Sequence, residues 1–255
     1  RDQWHTMTRT GRVPRLMANA PEPAVELNPV DAAALGIADG DLVRIESRYG
    51  GARAKAAASP GQRRGEAFLP MHWSGRFAAN SAAGSLSAPI TDPFSGQPEL
   101  KHVPVRISRE PVLWAGVLMT RRDIRPTGFV HWSRAAVAGG WVYELSGPEP
   151  PEHGFLLARR LVDVVPADQL LEYTDRRTST FRAAATDSEG KLAEAGFKGR
   201  FTVMQSNGGR LPAEAMRQSA ITVSRAKQTS TGANSQMFCI PSAGVRNFHA
   251  LSRYS

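Results

Sequence analysis

The chain has 255 residues, enough for one large domain or two small ones, and its 41% hydrophobic and 22% charged residues are typical of globular proteins. No run approaches the roughly 20 apolar residues of a membrane-spanning helix, so we expect no membrane partner. The single cysteine, Cys239, excludes internal disulfides and clusters of cysteine ligands. We therefore predict no metal site within the chain, and a reducing, cytoplasmic location.

The formal net charge of +9 is concentrated in the last quarter of the chain, where residues 191–255 hold nine Lys or Arg but two Asp or Glu. This quarter is polar and shows little apolar periodicity, which is typical of a solvated segment. A basic protein that binds nucleic acid through this tail is the alternative of a different functional class, and it predicts salt-sensitive binding. Because no recognition motif accompanies the charge, we expect no nucleic-acid partner.

The first 109 residues predict short strands separated by turns and one small helix. Alternating apolar and polar residues predict strands over residues 24–28, 41–48, 52–58, 65–73 and 102–108. Pro29 and Gly36 mark the two ends of the predicted helix. Tyr49-Gly50-Gly51 forms the turn of an antiparallel hairpin. This combination favours a β-barrel with a helical inset.

The next segment, residues 110–195, predicts a smaller α+β region. Its strands lie in "PVLWAGVLM" and "GGWVYELSG", its helix covers residues 154–165, and "QLLEYTD" and "TSTFRAAA" form a closing strand pair. Residues 196–255 contain one strand candidate, "RFTVMQSNGG", and are otherwise predicted to be poorly ordered. The predicted fold class is thus mainly β with small helices: a barrel, an α+β extension and a basic tail.

The opening stretch "WHTMTRTGR" is rich in hydrogen-bond donors. Arg9 and Arg12 offer planar guanidinium groups, three threonines offer hydroxyls, and Trp4 and His5 can stack on a flat polar ring. Such a set suits a large, anionic, heteroaromatic ligand that contains a pyrophosphate. The alternative from composition is a solvated arm whose charges face water.

Four blocks in the same order carry a resemblance to a known family: "WHTMTRTGR", "VELNPVDAAALGIADGDLVRIESRYG", "GEAFLPMHW…AAN" and "DPFSGQPELKHVPVRI". The chain resembles the C-terminal cofactor-binding domain of molybdenum enzymes of the dimethyl sulfoxide reductase superfamily, within which it is most similar to bacterial assimilatory nitrate reductases. The resemblance implies a double-psi β-barrel that binds one molybdopterin guanine dinucleotide of a molybdenum-bis(molybdopterin guanine dinucleotide) cofactor.

The resemblance also implies which residues bind that cofactor: Trp4, His5, Thr6, Met7, Thr8, Arg9, His72, Trp73, Asn80, Gln97 and Lys101. The opening loop matches the segment that lies against the pterin and the pyrophosphate. His72, Trp73 and Lys101 match positions near the pterin, and Gln97 lies on the approach to Lys101. Asn80 matches an Asn that binds the cofactor. Each position taken alone has a plainer interpretation. His72 could be a half-buried histidine, Asn80 a turn former and Lys101 a surface charge.

The resemblance implies that the parent enzyme reduces nitrate to nitrite in nitrate assimilation, with a formate dehydrogenase-like enzyme as the alternative. The family's cysteine cluster and molybdenum ligand have no counterpart in the sequence, so we assign no catalytic residue and expect the isolated chain to be inactive. The iron–sulfur cluster would lie in the remaining catalytic domains, which we expect as partners. A ferredoxin, a flavodoxin or a nicotinamide-linked reductase would donate the electrons.

Two further resemblances concern the rest of the chain. "WAGVLMTRR", "GGWVYELSG" and "LLEYTDRRTSTFRAAA" are similar to the stretch that follows the barrel in assimilatory nitrate reductases, which favours that enzyme over its relatives. Residues 196–222 resemble a short segment of the hydantoinase and oxoprolinase family. A segment of this length cannot form a nucleotide site by itself, because the other phosphate-binding loops of that fold are absent from the sequence.

Overall fold

The computed structural model describes residues 3–4, 7–120, 122–149, 154–162, 170–175, 180–185, 201–202 and 236–239. Within these ranges the protein is mainly β with small helices, as predicted. Its internal contacts divide the chain into two units. The first unit comprises Arg1–Thr10, Glu22–Glu110 and Ala226–Ser255, and the second comprises Gly11–Pro21 and Pro111–Arg225. The division into three successive segments stays a prediction, since most of residues 196–255 lie outside the described ranges.

The first unit is built on one seven-stranded sheet. Its strands are β1 (Ala24–Leu27), β2 (Leu42–Glu46), β3 (Gly51–Ala58), β4 (Glu66–Leu69), β5 (His102–Pro104), β6 (Arg106–Arg109) and β13 (Gln236–Cys239). They are arranged in the order β5-β13-β4-β1-β3-β2-β6. The β2–β3 hairpin is antiparallel, as predicted from its turn, whereas β1 and β3 are parallel. The core of this sheet is aliphatic, with Val25, Leu27, Val43, Ile45 and Leu69 fully buried.

Helix α2 (Pro29–Ala34) provides the crossover from β1 toward the β2–β3 hairpin. It begins where predicted, because the Asn28 side chain accepts a hydrogen bond from the Val30 amide at 2.9 Å and Pro29 occupies the first helical position. It ends just before Gly36, whose φ of 65° belongs to the left-handed region that favours glycine.

The strand directions gather several chain segments at one end of this sheet. β1 and β3 start at this end, β4 finishes there at Leu69, and β5 starts there at His102. We call it the upper end. The loop that follows β4 and the residues that precede β5 therefore meet at the upper end, which is the relevant fact for the candidate site.

The second unit contains a four-stranded antiparallel sheet in the order β12-β7-β9-β8 and a separate β10–β11 pair. Its elements are α1 (Pro14–Met17), β7 (Trp114–Thr120), β8 (His131–Val137), β9 (Gly140–Gly147), α3 (Gly154–Val162), β10 (Leu170–Asp175), β11 (Thr180–Ala185) and β12 (Phe201–Thr202). The β10–β11 pair was predicted from the sequence, whereas β8 was not. No helix in the described ranges is long and apolar enough to cross a membrane.

A polar cluster lies inside the second unit. The Tyr143 hydroxyl donates to the Ile124 carbonyl at 3.0 Å and accepts from the Ile124 amide at 2.9 Å. Arg134, which is 2% exposed, bonds to Tyr143 and Asp123 and lies 4.3 Å from the centre of the Trp141 ring. Burial raises the pKa of Tyr143 above its usual value. The buried cation is thus paired with a carboxylate and an aromatic face, as burial of a charge requires.

Gly50 permits a close approach of two backbone segments in the first unit. A Cβ atom at Gly50 would lie 2.4 Å from the Ser85 carbonyl oxygen, a distance that backbone atoms cannot tolerate without a shift. At Gly75 a Cβ atom would have no neighbour within 4 Å. These two glycines therefore form a matched pair that separates a packing requirement from the general effect of adding a methyl group.

We expect Gly50→Ala to lower the free energy of unfolding by about 1 to 3 kcal/mol, because the Ser85 backbone must move to make room. Gly75→Ala should change it by no more than about 0.5 kcal/mol. Urea unfolding of the 255-residue chain, followed by circular dichroism, measures both. Equal stability of the two variants would show that the Gly50–Ser85 contact can relax at no cost.

Candidate functional site

The opening loop is held together by its own hydrogen bonds. The Thr10 hydroxyl donates to Gln3 Oε1 at 2.5 Å, and the Met7 amide donates to the Trp4 carbonyl at 2.7 Å. Gln3 and Met7 are fully buried. These bonds connect Gln3 to Thr10 and Trp4 to Met7 within the first unit.

The opposite face of this loop is exposed and carries three kinds of donor. Trp4 is 54% exposed, and Thr8 and Arg9 are exposed as well. An indole N–H, a hydroxyl and a guanidinium together can stack on a heterocycle and bond to phosphate oxygens. The two other predicted residues of this loop, His5 and Thr6, lie outside the described ranges.

Two residues of the predicted site adopt a backbone conformation that residues with side chains rarely adopt. Met7 has a φ of 63° and Asn80 a φ of 56°, and within the described ranges they are the only residues other than glycine with a positive φ. This conformation costs about 1 to 2 kcal/mol for most residues, although Asn tolerates it better. Such strained positions are often found at functional sites.

The strained conformation of Asn80 is fixed by the start of β3. The Arg53 amide donates to the Asn80 carbonyl at 2.6 Å, and the hydroxyl of the fully buried Ser81 donates to the Arg53 carbonyl at 2.8 Å. Both backbone polar groups of Arg53 are therefore used to hold residues 80–81. The Asn80 side chain itself is exposed.

The loop before Asn80 contains the two other predicted residues of this segment. His72 is half-buried, and Trp73 is only 2% exposed. An indole this deeply buried contributes to the packing of the first unit and has little surface left for a ligand. A ligand contact at Trp73 would therefore come mainly from its main chain, and the same holds for the fully buried Met7.

The predicted residues Gln97 and Lys101 lie in a hairpin-like loop before β5. Its turn is fixed by Asp92, whose Oδ1 accepts from the Phe94 amide and from the amide and hydroxyl of Ser95. These hydrogen bonds lower the pKa of Asp92. The Asp92 amide bonds to the Gln97 carbonyl at 2.8 Å. Gln97 is exposed, and Lys101 is half-buried.

The sheet places three of these positions at its upper end. His72 follows the end of β4 by three residues, Asn80 is bonded to the start of β3, and Lys101 directly precedes β5. One strand separates β4 from β5, so their backbones lie about 10 Å apart at a spacing of about 4.8 Å per strand. β3 lies four strand positions from β5, or about 19 Å at the same spacing, so a ligand that contacts all three positions must be large. The role of each residue in binding stays a prediction.

A charge cluster that the sequence analysis did not identify supports the same region. Arg44 and Arg53 are directly opposite in the β2–β3 register, and Glu110, which is 5% exposed, bonds to both. Its Oε2 accepts from the Nε atoms of Arg44 and Arg53 at 2.9 Å each, and its Oε1 accepts from Arg44 Nη2 at 3.1 Å. The turn predicted for this hairpin places two arginines opposite each other, and this pairing is the signal that could have indicated a carboxylate between them.

Burial of the Glu110 carboxyl opposes its ionisation, but the hydrogen bonds and charges of Arg44 and Arg53 outweigh burial and lower its pKa. The same bonds raise the pKa of Arg44. The cluster is therefore ionised at neutral pH and carries one net positive charge. No group of three or more His, Cys, Asp or Glu side chains that could hold a metal ion occurs in the described part of the chain.

Comparison with known proteins finds a family that is similar to the first part of the chain. Residues 1–104 match a family model described as "Molydopterin dinucleotide binding domain". The first part of the chain is therefore similar to this family of cofactor-binding domains. The match includes the opening loop, the Asn80 segment and the loop before β5, as the resemblance implied.

Several curated relatives contain the same region. A nitrate reductase of Klebsiella oxytoca is 45% identical over 139 residues, which cover 54% of this chain and 16% of the relative. A periplasmic nitrate reductase of Desulfovibrio desulfuricans is 36% identical over 108 residues, or 42% of this chain and 14% of the relative. The alpha subunit of an F420-dependent formate dehydrogenase of Methanocaldococcus jannaschii is 36% identical over 106 residues, or 42% and 15%. The chain thus spans about one sixth of the length of these relatives.

We expect Glu110→Gln to lower the free energy of unfolding at pH 7 by about 2 to 4 kcal/mol, because it removes the buried counter-charge that bonds to both Arg44 and Arg53. A lowered pKa in the folded state means that the ionised carboxyl stabilises the protein above its unfolded-state pKa of about 4.3. This stabilisation is lost as the pH falls through the lower, folded-state value.

The difference between the wild type and Glu110→Gln should therefore shrink when urea unfolding is repeated at pH 3. Glu46→Gln is the control, because Glu46 lies 3.7 Å from Arg44 and is 45% exposed. A difference that stays the same at both pH values would contradict the stabilising role of the Glu110 charge.

Proposed function

We propose that the chain is the cofactor-binding part of a molybdenum oxidoreductase that reduces nitrate to nitrite in nitrate assimilation. The observation that carries the proposal is the family match of residues 1–104 together with the nitrate reductases among the relatives. Because the chain covers only about one sixth of these relatives, the activity of the whole enzyme belongs to the proposal.

The donors at the upper end and in the opening loop fit a molybdopterin guanine dinucleotide. In this proposal Arg9 and Thr8 bond to the pyrophosphate and Trp4 stacks on a ring of the ligand. Asn80 bonds to the guanosine diphosphate part of the ligand, and Lys101 bonds to a polar edge of the pterin. Exposure of the Trp4, Thr8, Arg9 and Asn80 side chains supports these contacts. When bound, the cofactor supplies oxygen-atom and electron transfer through its molybdenum, and this chain supplies binding and orientation.

The rest of the proposed enzyme provides the catalytic domains, the molybdenum ligand and the iron–sulfur cluster. A feature of the first unit that supports such a partner is Phe94, at the tip of the Asp92 turn, whose side chain is 97% exposed. Ile90 on the same loop is 59% exposed. An aromatic side chain that is almost fully exposed on a hydrogen-bonded turn is typical of a protein–protein interface. A ferredoxin, a flavodoxin or a nicotinamide-linked reductase would supply electrons in the cytoplasm.

A formate dehydrogenase-like enzyme is the second candidate, and a specific observation favours it: the formate dehydrogenase subunit from Methanocaldococcus jannaschii matches the same domain. The longer match to the Klebsiella oxytoca protein, 139 residues against 106, extends beyond this domain and favours nitrate reduction. The molybdenum ligand of the complete reading frame would distinguish the two, and a formate dehydrogenase type of ligand would contradict nitrate reduction.

Binding of guanosine diphosphate tests the dinucleotide site, because this probe contains the guanine and the pyrophosphate of the proposed ligand. We expect the 255-residue chain to bind it in isothermal titration calorimetry and Arg9→Ala to weaken binding about ten-fold, the effect of one charge-assisted hydrogen bond.

Arg63→Ala is the matched control for this measurement. Arg63 is also an exposed arginine of the first unit, but it lies between β3 and β4, at the end of the sheet opposite the upper end. It should leave the dissociation constant unchanged. Equal affinities of the two variants, or no binding by the wild type, would contradict the proposed pyrophosphate contact.

A further inference from the structure

We propose that Arg53 and Ser81 are positioning residues for the cofactor, and that Glu110 acts through Arg53. This inference rests on the proposed function, because it assumes that the Asn80 side chain bonds to the ligand. It concerns how the protein holds Asn80 in the one backbone conformation that presents this side chain at the upper end of the sheet.

Both hydrogen bonds that hold residues 80–81 to β3 end on the backbone of Arg53. The Arg53 amide donates to the Asn80 carbonyl at 2.6 Å, and its carbonyl accepts from the Ser81 hydroxyl at 2.8 Å. Asn80, with a φ of 56°, lies between the half-buried Ala79 and the fully buried Ser81. Release of either bond would free Asn80 to adopt the more common negative φ, which turns its side chain in another direction.

The side chain of Arg53 helps to hold the Arg53 backbone in place. Its Nε donates to Glu110 at 2.9 Å, and Glu110 also bonds to Arg44 on β2. Glu110 follows β6, so one buried carboxylate connects three adjacent strands. Without this carboxylate, Arg44 and Arg53 would repel each other across the ladder, and Arg53 would lose the hydrogen bond that anchors its side chain.

None of the three residues needs to touch the ligand for this role. Ser81 is fully buried, and both Arg53 and Ser81 act through groups already used in hydrogen bonds to the protein. A purely structural role would lower stability alone. A positioning role predicts that loss of these residues weakens ligand binding only when the Asn80 side chain is present.

A double-mutant cycle with guanosine diphosphate as the probe tests this prediction. Asn80→Gly removes the side chain but keeps the backbone conformation, since glycine adopts a positive φ without strain. We expect it to weaken binding about ten-fold. Ser81→Ala and Glu110→Gln should each weaken binding about three- to ten-fold on their own, but should cause no further loss in the Asn80→Gly background.

Ser85→Ala is the matched control for Ser81→Ala. The Ser85 hydroxyl also donates to a β3 carbonyl, that of Gly51, at 2.8 Å, but its hydrogen bonds go to the Gly51 and Ala82 carbonyls and not to Asn80 or Arg53. This variant should bind the probe like the wild type. An additive effect of Ser81→Ala and Asn80→Gly, or an equal effect of Ser85→Ala, would overturn the positioning role while leaving the proposed function intact.

Amide hydrogen exchange gives a second readout that needs no ligand. In Ser81→Ala and Glu110→Gln, the Arg53 amide should exchange at least ten-fold faster than in the wild type. Ala56 lies on the same strand as Arg53, and its amide donates to the Asp41 carbonyl. Exchange of the Ala56 amide should be unchanged. Unchanged exchange at Arg53 would overturn the inference. If wild-type binding of the probe fails but Arg53 responds as expected, the proposed function fails and the control of the Asn80 conformation stands.

Discussion

Arg44 and Arg53 lie opposite each other in the β2–β3 register, and the buried Glu110 bonds to both guanidinium groups. Two like charges at neighbouring positions of a ladder repel each other, and the carboxylate between them offsets this repulsion. The same carboxylate ties β6 to the hairpin and fixes the side chain of the residue whose backbone holds Asn80. The geometry of the upper end therefore depends on one buried carboxylate and its two arginine partners.

Much of the first unit could be predicted because its sequence follows local rules. The β2–β3 hairpin has alternating residues on both sides of a glycine turn, and α2 has Pro29 at its start and Gly36 after its end. β8 was missed for a physical reason: its first four residues, His131 to Arg134, are all buried, so the sequence "HWSRAAV" lacks the alternation of a strand with one wet face. An arginine in a sequence favours an exposed position, and the burial of Arg134 is explained only by its bonds to Asp123 and Tyr143.

The candidate site was predicted through resemblance, and the structure adds information that the sequence could not contain. Ser81 and Arg53 are 28 residues apart, and their bond uses a backbone atom, which leaves no signature in residue type. The burial of Met7 and Trp73 likewise depends on tertiary packing. Residue identity indicated which chemistry is available, while the hydrogen bonds of the main chain determine which side chains can present it.

The chain passes from the first unit to the second and back within its first 22 residues, which affects how the part that matches the family model can be isolated. Residues 11–21 lie within the family match to residues 1–104, yet they pack with the second unit, where α1 contacts β8 and Met17 is fully buried. A protein ended after Glu110 would keep α1 and lose β8, leaving an apolar helix face exposed to water. A protein that ends at the boundary suggested by homology therefore separates α1 from the strand that it contacts. The two units should be produced as one chain.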